Sequence, residues 1–285
     1  MHRRRDGRRR GQIDPRMMML LMQLGRQIAN LEYKPPATLA LMALNSAVYL
    51  YEFSLPFRVP DVCMHPAKIL FGGDWKRLVL SAFYHADDYH LYYNMSSLLW
   101  KGVQLEQQFG TEEFIGMTLV LLGLSHSFYV AAAWIMYTLG ISSSSMQTCA
   151  VGFSAVLFAY KVVLNFNSPR MTNVYGISVP LKYACWLELV MISIITPNAS
   201  FLGHLCGILA GLVYVTGGRA IMLGSIFSAA SSSAPASAPS RHTIQRGILR
   251  PNRQRRRQEE EDADLAEAMR RSRMDHALRN RGVYR

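Results

Sequence analysis

Residues 149–161 read CAVGFSAVLFAYK. Ser154 follows Gly152 and Phe153 at the head of an apolar run. A hydroxyl there is odd if the run is only a membrane anchor. A second apolar run, residues 201–215, carries His204 in its first turn and then Gly207 and Gly211. An imidazole inside a membrane helix is costly and marks a functional position by default. The two runs therefore suggest a nucleophile and a base that meet within a bilayer.

The surrounding composition fits that setting. Of 285 residues, 50% are hydrophobic and 18% are charged, so the length suits one domain with tails. The mean hydropathy of +0.08 hides a split between an apolar middle and Arg-rich ends. The net charge of +12 comes mostly from those ends. Residues 1–16 alone hold seven arginines. Flanking hydrophobic spans, such charge reads as the positive-inside bias of cytoplasmic segments. Nucleic acid is set aside as a partner, because no aromatic-interleaved basic fold accompanies the arginines. The four cysteines are too few for a dense disulfide framework. Cys185 and Cys206 lie in apolar runs and read as small packing residues. No small-residue cleavage site follows the first apolar stretch, which argues against a removed signal peptide.

Four domains are expected. Residues 1–35 form a basic cytosolic tail and an interfacial amphipathic helix over 17–33, with Met17 to Met19 facing lipid. Residues 36–217 form the membrane domain. Residues 218–254 include the low-complexity linker SAASSSAPASAPS at 228–240. Residues 255–285 form a cytosolic tail with a short helix. Within the membrane domain, spans are expected to start near 37, 87, 113, 151, 180 and 200. A long loop covers 55–86, Asp87 and Asp88 belong to a solvated loop, and residues 167–178 are a polar link. Trp75 reads as an interfacial anchor of the long loop. Glu188, deep in the fifth span, reads as protonated or hydrogen-bonded to a neighbouring helix.

Basic ends both prefer the cytoplasm, which requires an even number of spans. Spans two, four and six then run the same way and begin on the far side. His90, Ser154 and His204 each lie near the start of one of them. At 1.5 Å rise per residue their offsets amount to only about 5 Å. Asn94 lies four residues after His90 and so shares its helix face. That pair and the free N–H groups at the helix start of Ser154 form a candidate cradle for an oxyanion. Gly207 and Gly211 have small-xxx-small spacing, which lets span six approach span four closely.

These residues resemble those of the rhomboid intramembrane serine proteases. Gly152-Phe153-Ser154-Ala155 is similar to the family's G-x-S-G. Gly203-His204 with Gly207 and Gly211 is similar to A-H-x-x-G-x-x-x-G. Residues 90–94, HLYYN, are similar to H-x-x-x-N. Trp75 and Arg77 resemble the W-R signature of the first loop with one residue inserted, and His85 falls where the family often has a histidine. The resemblance covers about residues 36–216. Ala155 stands for the usual glycine, Gly203 for the usual alanine, and Phe158 for a frequent tyrosine, still able to pack on the His204 ring.

The resemblance implies an all-α polytopic membrane protein, a six-transmembrane rhomboid helix bundle with disordered basic tails. It implies a Ser154–His204 dyad that hydrolyses peptide bonds of membrane-protein substrates. His90, Asn94 and the Ser154 N–H would form the oxyanion hole, with Gly152, Ala155, Phe158, Gly207 and Gly211 in support. No cofactor or metal is implied. In the tail, Glu259 to Asp262 followed by Leu265, Ala268, Met269 and Ser272 resembles a ubiquitin-interacting motif. Leu265, Ala268 and Met269 share one helix stripe. Rhomboids of the endoplasmic reticulum that act in protein quality control carry such a tail. They also recruit a cytosolic AAA ATPase through Arg-rich segments, for which Arg253 to Arg257 or Arg270 to Arg285 are candidates. The competing reading is a weak or inactive rhomboid-like adaptor that binds membrane clients and ubiquitin. A small transporter is disfavoured, since inverted repeats are absent.

Overall fold

The computed structural model describes residues 15–174, 177–196 and 199–218. Helix α1, Pro15–Ala29, buries Met17, Leu20 and Leu24 while Met18, Met19 and Met22 stay exposed. That one-sided pattern packs it against the later helix Asp88–Phe109, α6. The expectation that Met17 faces lipid is thus corrected: it is 1% exposed. Its position is i−3 from Leu20 on the stripe that faces the bundle.

Helix α2, Pro36–Leu50, starts with proline in its first turn, where no N–H is needed. Its free donors go to another helix. The Glu106 carboxylate accepts from Ala37 N at 2.9 Å, Thr38 N at 2.8 Å and Thr38 Oγ1 at 2.8 Å. The loop that follows contains three short helices, α3 (Val59–Val62), α4 (Pro66–Leu70) and α5 (Arg77–Leu80).

Helix α6, Asp88–Phe109, and helix α7, Thr111–Thr138, are joined by Gly110 alone, whose φ of 84° suits glycine. Asp87 caps α6 by accepting from His90 N at 2.9 Å. Asp88 opens the helix and accepts from the Tyr49 hydroxyl. The expected solvated loop at these two residues is therefore a structured helix start. Helix α8, Ser154–Asn165, is followed by an antiparallel hairpin, β1 (Met171–Val174) and β2 (Ile177–Pro180). The polar link expected over 167–178 carries most of this hairpin, in which Thr172 pairs with Val179, both types that favour a pleated surface. Helices α9, Ala184–Ile195, and α10, Phe201–Val213, complete the bundle.

Helices α2, α6, α7, α8, α9 and α10 stand at the six expected positions. Among the described residues, Thr111–Thr138 is the helix long and apolar enough to cross a membrane by itself, with a hydropathy of 1.7. The main core joins α1, α2, α6, α7 and α8 through residues such as Leu98, Met117, Leu121, Phe153 and Tyr160. A smaller cluster of Phe158, Val162, Cys185, Leu189 and Ile208 seats α9 on α8 and α10.

Candidate active site

Helices α8 and α10 pack closely because small residues face one another. A β-carbon added at Gly207 would fall 2.1 Å from the Ala155 carbonyl oxygen. One added at Gly211 would fall 2.8 Å from Val162 Cβ and 2.9 Å from the Ala159 oxygen. Neither glycine can carry a side chain without moving a backbone. At Gly203 an added carbon would lie 3.1 Å from Ser200 Oγ, which caps α10 by accepting from Gly203 N. The glycine in place of the usual alanine thus sits beside a capping side chain.

This close approach brings Ser154 Oγ to 3.0 Å from His204 Nε2. His204 is 6% exposed, and its Nδ1 has no protein partner. Phe158, one turn below Ser154, stacks on the imidazole with centroids 4.6 Å apart and planes inclined by 27°. The ring is thus held on one face and by one nitrogen. Ser154 is the first residue of α8, so its N–H has no acceptor inside the helix.

Gly152 sets the entry to that helix. Its φ is 118°, a conformation that favours glycine. An added β-carbon would lie 2.7 Å from both Cε1 and Nε2 of His90. His90 is therefore pressed against the turn that delivers Ser154. Its Nδ1 faces the Ala86 N–H at 3.3 Å. Asn94 Nδ2 donates to the His90 carbonyl at 2.8 Å, leaving its second hydrogen free, and Oδ1 has no partner. The fold thus gathers Ser154, His204, His90, Gly152, Phe158 and the two glycines. It turns one Asn94 donor inward to its own helix.

Several polar groups here escaped sequence reasoning. A small pocket of about 40 Å³ beside Ser154 is lined by Ser81, Ser125, His126 and Tyr129 as well as His204. It has room for water. Ser81 Oγ has no partner, His126 Nδ1 lies 2.6 Å from the Leu78 carbonyl, and Tyr129 pairs with Thr148 Oγ1 at 2.7 Å. The adjacent Ser125 and His126, in the middle of an apolar span, were the available signal. His85 packs edge-on to His90 at 5.1 Å, and neither of its nitrogens has a partner. Burial pushes its pKa down to about 3, and the neighbouring His90 charge acts the same way. It stays neutral at physiological pH.

The long loop is pinned to the site from outside. Cys63 and Cys149, 86 residues apart, form a disulfide. The low cysteine count gave no hint of it. Cys185 and Cys206 are free and buried, as expected. Arg77 is 3% exposed and donates to the carbonyls of Cys63 at 2.8 Å and Pro60 at 3.1 Å. Burial opposes ionisation of the Asp74 carboxyl, but hydrogen bonds from Arg77 and Lys76 outweigh it and hold its pKa below the usual range. Trp75 is 59% exposed beside these ties. On the inner side, Glu188 pairs with Lys161 and lies 3.8 Å from Lys101 Nζ. The carboxyl is an ion-pair member linking three helices, and both lysines were missed.

Comparison with known proteins gives this geometry its context. A profile described as a rhomboid domain matches residues 72–220, more than half of the chain. Rhomboid-like protein 14, mitochondrial, of Arabidopsis thaliana is 43% identical over 214 residues, 74% of this chain and 64% of that protein. The chain belongs to the rhomboid family. Rhomboid-related protein 4 of Homo sapiens is 39% identical over 212 residues, covering 74% of this rhomboid and 65% of the human protein. Rhomboid-type serine protease 2 of Saccharomyces cerevisiae is 30% identical over 184 residues, 62% of this chain and 66% of the yeast protein. The chain thus spans a little under two thirds of the length of the first two relatives. The family is membrane-embedded and typically comprises intramembrane serine proteases. The segment resembling a ubiquitin-interacting motif, with Leu265, Ala268, Met269 and Ser272, and the Arg-rich segments lie outside the described residues.

Proposed function

We propose that this rhomboid is an intramembrane serine endopeptidase that cuts peptide bonds in or near membrane-spanning segments of other proteins. The observation that carries the reading is the 3.0 Å approach of Ser154 Oγ to His204 Nε2 between two closely packed helices. Nε2 takes the hydroxyl proton as Oγ attacks the peptide carbonyl. The tautomer that accepts at Nε2 carries its hydrogen on Nδ1, which has no protein partner. The Ser154 N–H, His90 and the free Asn94 hydrogen stabilise the oxyanion. His204 then protonates the leaving amine, and water from the adjoining polar pocket hydrolyses the acyl-enzyme.

The test is cleavage of a co-expressed membrane protein with a helix-destabilised span. Ser154→Ala and His204→Ala each lower the rate by a factor on the order of 10⁴ or more. Cleavage that survives in Ser154→Ala contradicts the reading.

The same reading places six spans in the bilayer with both termini cytosolic. A disulfide at Cys63–Cys149 supports an oxidising space on the side where the site opens. The acidic tail with Leu265, Ala268, Met269 and Ser272 supports ubiquitin binding, and with it a role in quality control at the endoplasmic reticulum, with the Arg-rich segments recruiting an AAA ATPase. Detergent-solubilised full chain retains ubiquitin and Leu265→Asp loses it on this account. Equal retention by both counts against the tail assignment.

A further inference from the structure

Four residues of chain lead from Cys149 to the turn before Ser154, and they are laced to the long loop at three successive points. Cys149 is bonded to Cys63. The next pair forms an isolated antiparallel bridge, Met64 N donating to the Ala150 carbonyl at 2.7 Å and Ala150 N to the Met64 carbonyl at 3.2 Å. Gly152 N then donates to the Ser81 carbonyl at 2.9 Å. Only after these ties does α8 begin, with Ser154 and its free N–H. Met64, Ala150 and Gly152 also line the pocket beside Ser154.

The loop partner has little stability of its own. Its helices run four, five and four residues, far below the length at which a helix stands alone. Arg77 fixes the loop at the carbonyl of Cys63 itself. The covalent link therefore transmits the position of an Arg77-anchored loop to the segment that aims the nucleophile. It is also reachable. Cys63 is 1% exposed, but Cys149 lies at the surface.

We propose that the Cys63–Cys149 disulfide is a positioning element of the Ser154 site, and that its reduction by a solvent-borne dithiol slows the reaction. The inference rests on the serine-protease reading above. In the exchange, a thiolate of the dithiol attacks the Cys149 sulfur, the protein S–S bond breaks, and Cys63 leaves as a thiolate and takes a proton from water. The second thiol of the reductant, once deprotonated, attacks the mixed disulfide and releases Cys149. Two protein thiols are formed and the dithiol becomes its cyclic disulfide. Cys185 and Cys206 are free and buried and take no part.

The experiment uses the full chain in detergent, oxidised or treated with dithiothreitol, with reduction verified by alkylation at Cys63 and Cys149. The readouts are the rate of Ser154 labelling by a fluorophosphonate and the kcat and KM for a membrane substrate. They are taken at a temperature where circular dichroism shows both forms fully folded. A misplacement of about 1 Å costs about 100-fold in rate. We expect labelling and kcat to fall by about 10- to 100-fold on reduction, with KM changed far less, and to return on reoxidation. The Cys63→Ser/Cys149→Ser variant shows the slow rate with or without dithiol. Equal rates for oxidised and reduced wild type overturn the inference alone, as does a loss that only tracks the unfolded fraction. No label on oxidised protein overturns the protease reading and this inference with it.

Discussion

At Gly207 the distance between two helices is set by a missing side chain. The Ala155 carbonyl occupies the space a β-carbon would need, at 2.1 Å. Gly207→Ala must push α10 from α8 at the level where Ser154 and His204 meet, and a shift of about 1 Å lowers the rate about 100-fold. Gly123→Ala in α7 meets nothing within 4 Å and serves as the control. Cleavage rates and thermal midpoints measured on both variants check this. Equal activity in Gly207→Ala shows that the close approach does not set the dyad distance. The dyad glycines, Ser154 and His204 were legible in the chain because each belongs to a short motif whose spacing carries chemistry. The inward bond of Asn94 to the His90 carbonyl was not legible, since either amide orientation satisfies the same spacing.

At the scale of elements, α9 is the most loosely held of the helices around the site. It buries only Ala184, Cys185 and Leu189. Its polar tie is Glu188, with side chain 29% exposed, against Lys161 of α8 and Lys101 of α6. Lys161 lies on the same face of α8 as Ser154 and Phe158, two turns from the serine. Lys101 is 4% exposed, so losing Glu188 leaves a buried charge uncompensated at a cost of up to about 3–5 kcal/mol, whereas replacing all partners by apolar residues is near neutral. Glu188→Ala therefore lowers the thermal midpoint markedly, and the triple variant Lys101→Met/Lys161→Met/Glu188→Leu recovers most of it. A triple variant as unstable as Glu188→Ala contradicts this account of the cluster. The element starts were readable from apolar runs and prolines. The pairing of Glu188 was half-read as a helix-to-helix contact, because a lone lysine in an apolar run does not say which neighbour it faces. The hairpin at 171–180 was missed because four alternating residues on each side are a weak signal beside long helices. Glu106 likewise carried no signal in the sequence, since a carboxylate at the end of a span does not say which helix it faces. It caps α2 from 68 and 69 residues away and also accepts from Thr111 Oγ1 at 2.9 Å.

For the whole molecule, the division between apolar middle and basic ends set the class of fold before any residue was assigned a role. The membrane bundle followed from that division and from helix-length runs. The Cys63–Cys149 bond did not, because sequence separation says nothing of spatial distance when a long loop folds back. The same fold-back brings Ser81 to the pocket beside Ser154 from outside the helices that carry it. The central claim is that a serine at a helix start and a histidine on a neighbouring helix act as one chemical unit. Fluorophosphonate labelling of the purified full chain at neutral pH, with the adduct mapped by mass spectrometry, tests it most directly. The account predicts an adduct on Ser154 in the wild type that is lost in His204→Ala. No adduct on Ser154, or one undiminished without the imidazole, would contradict it.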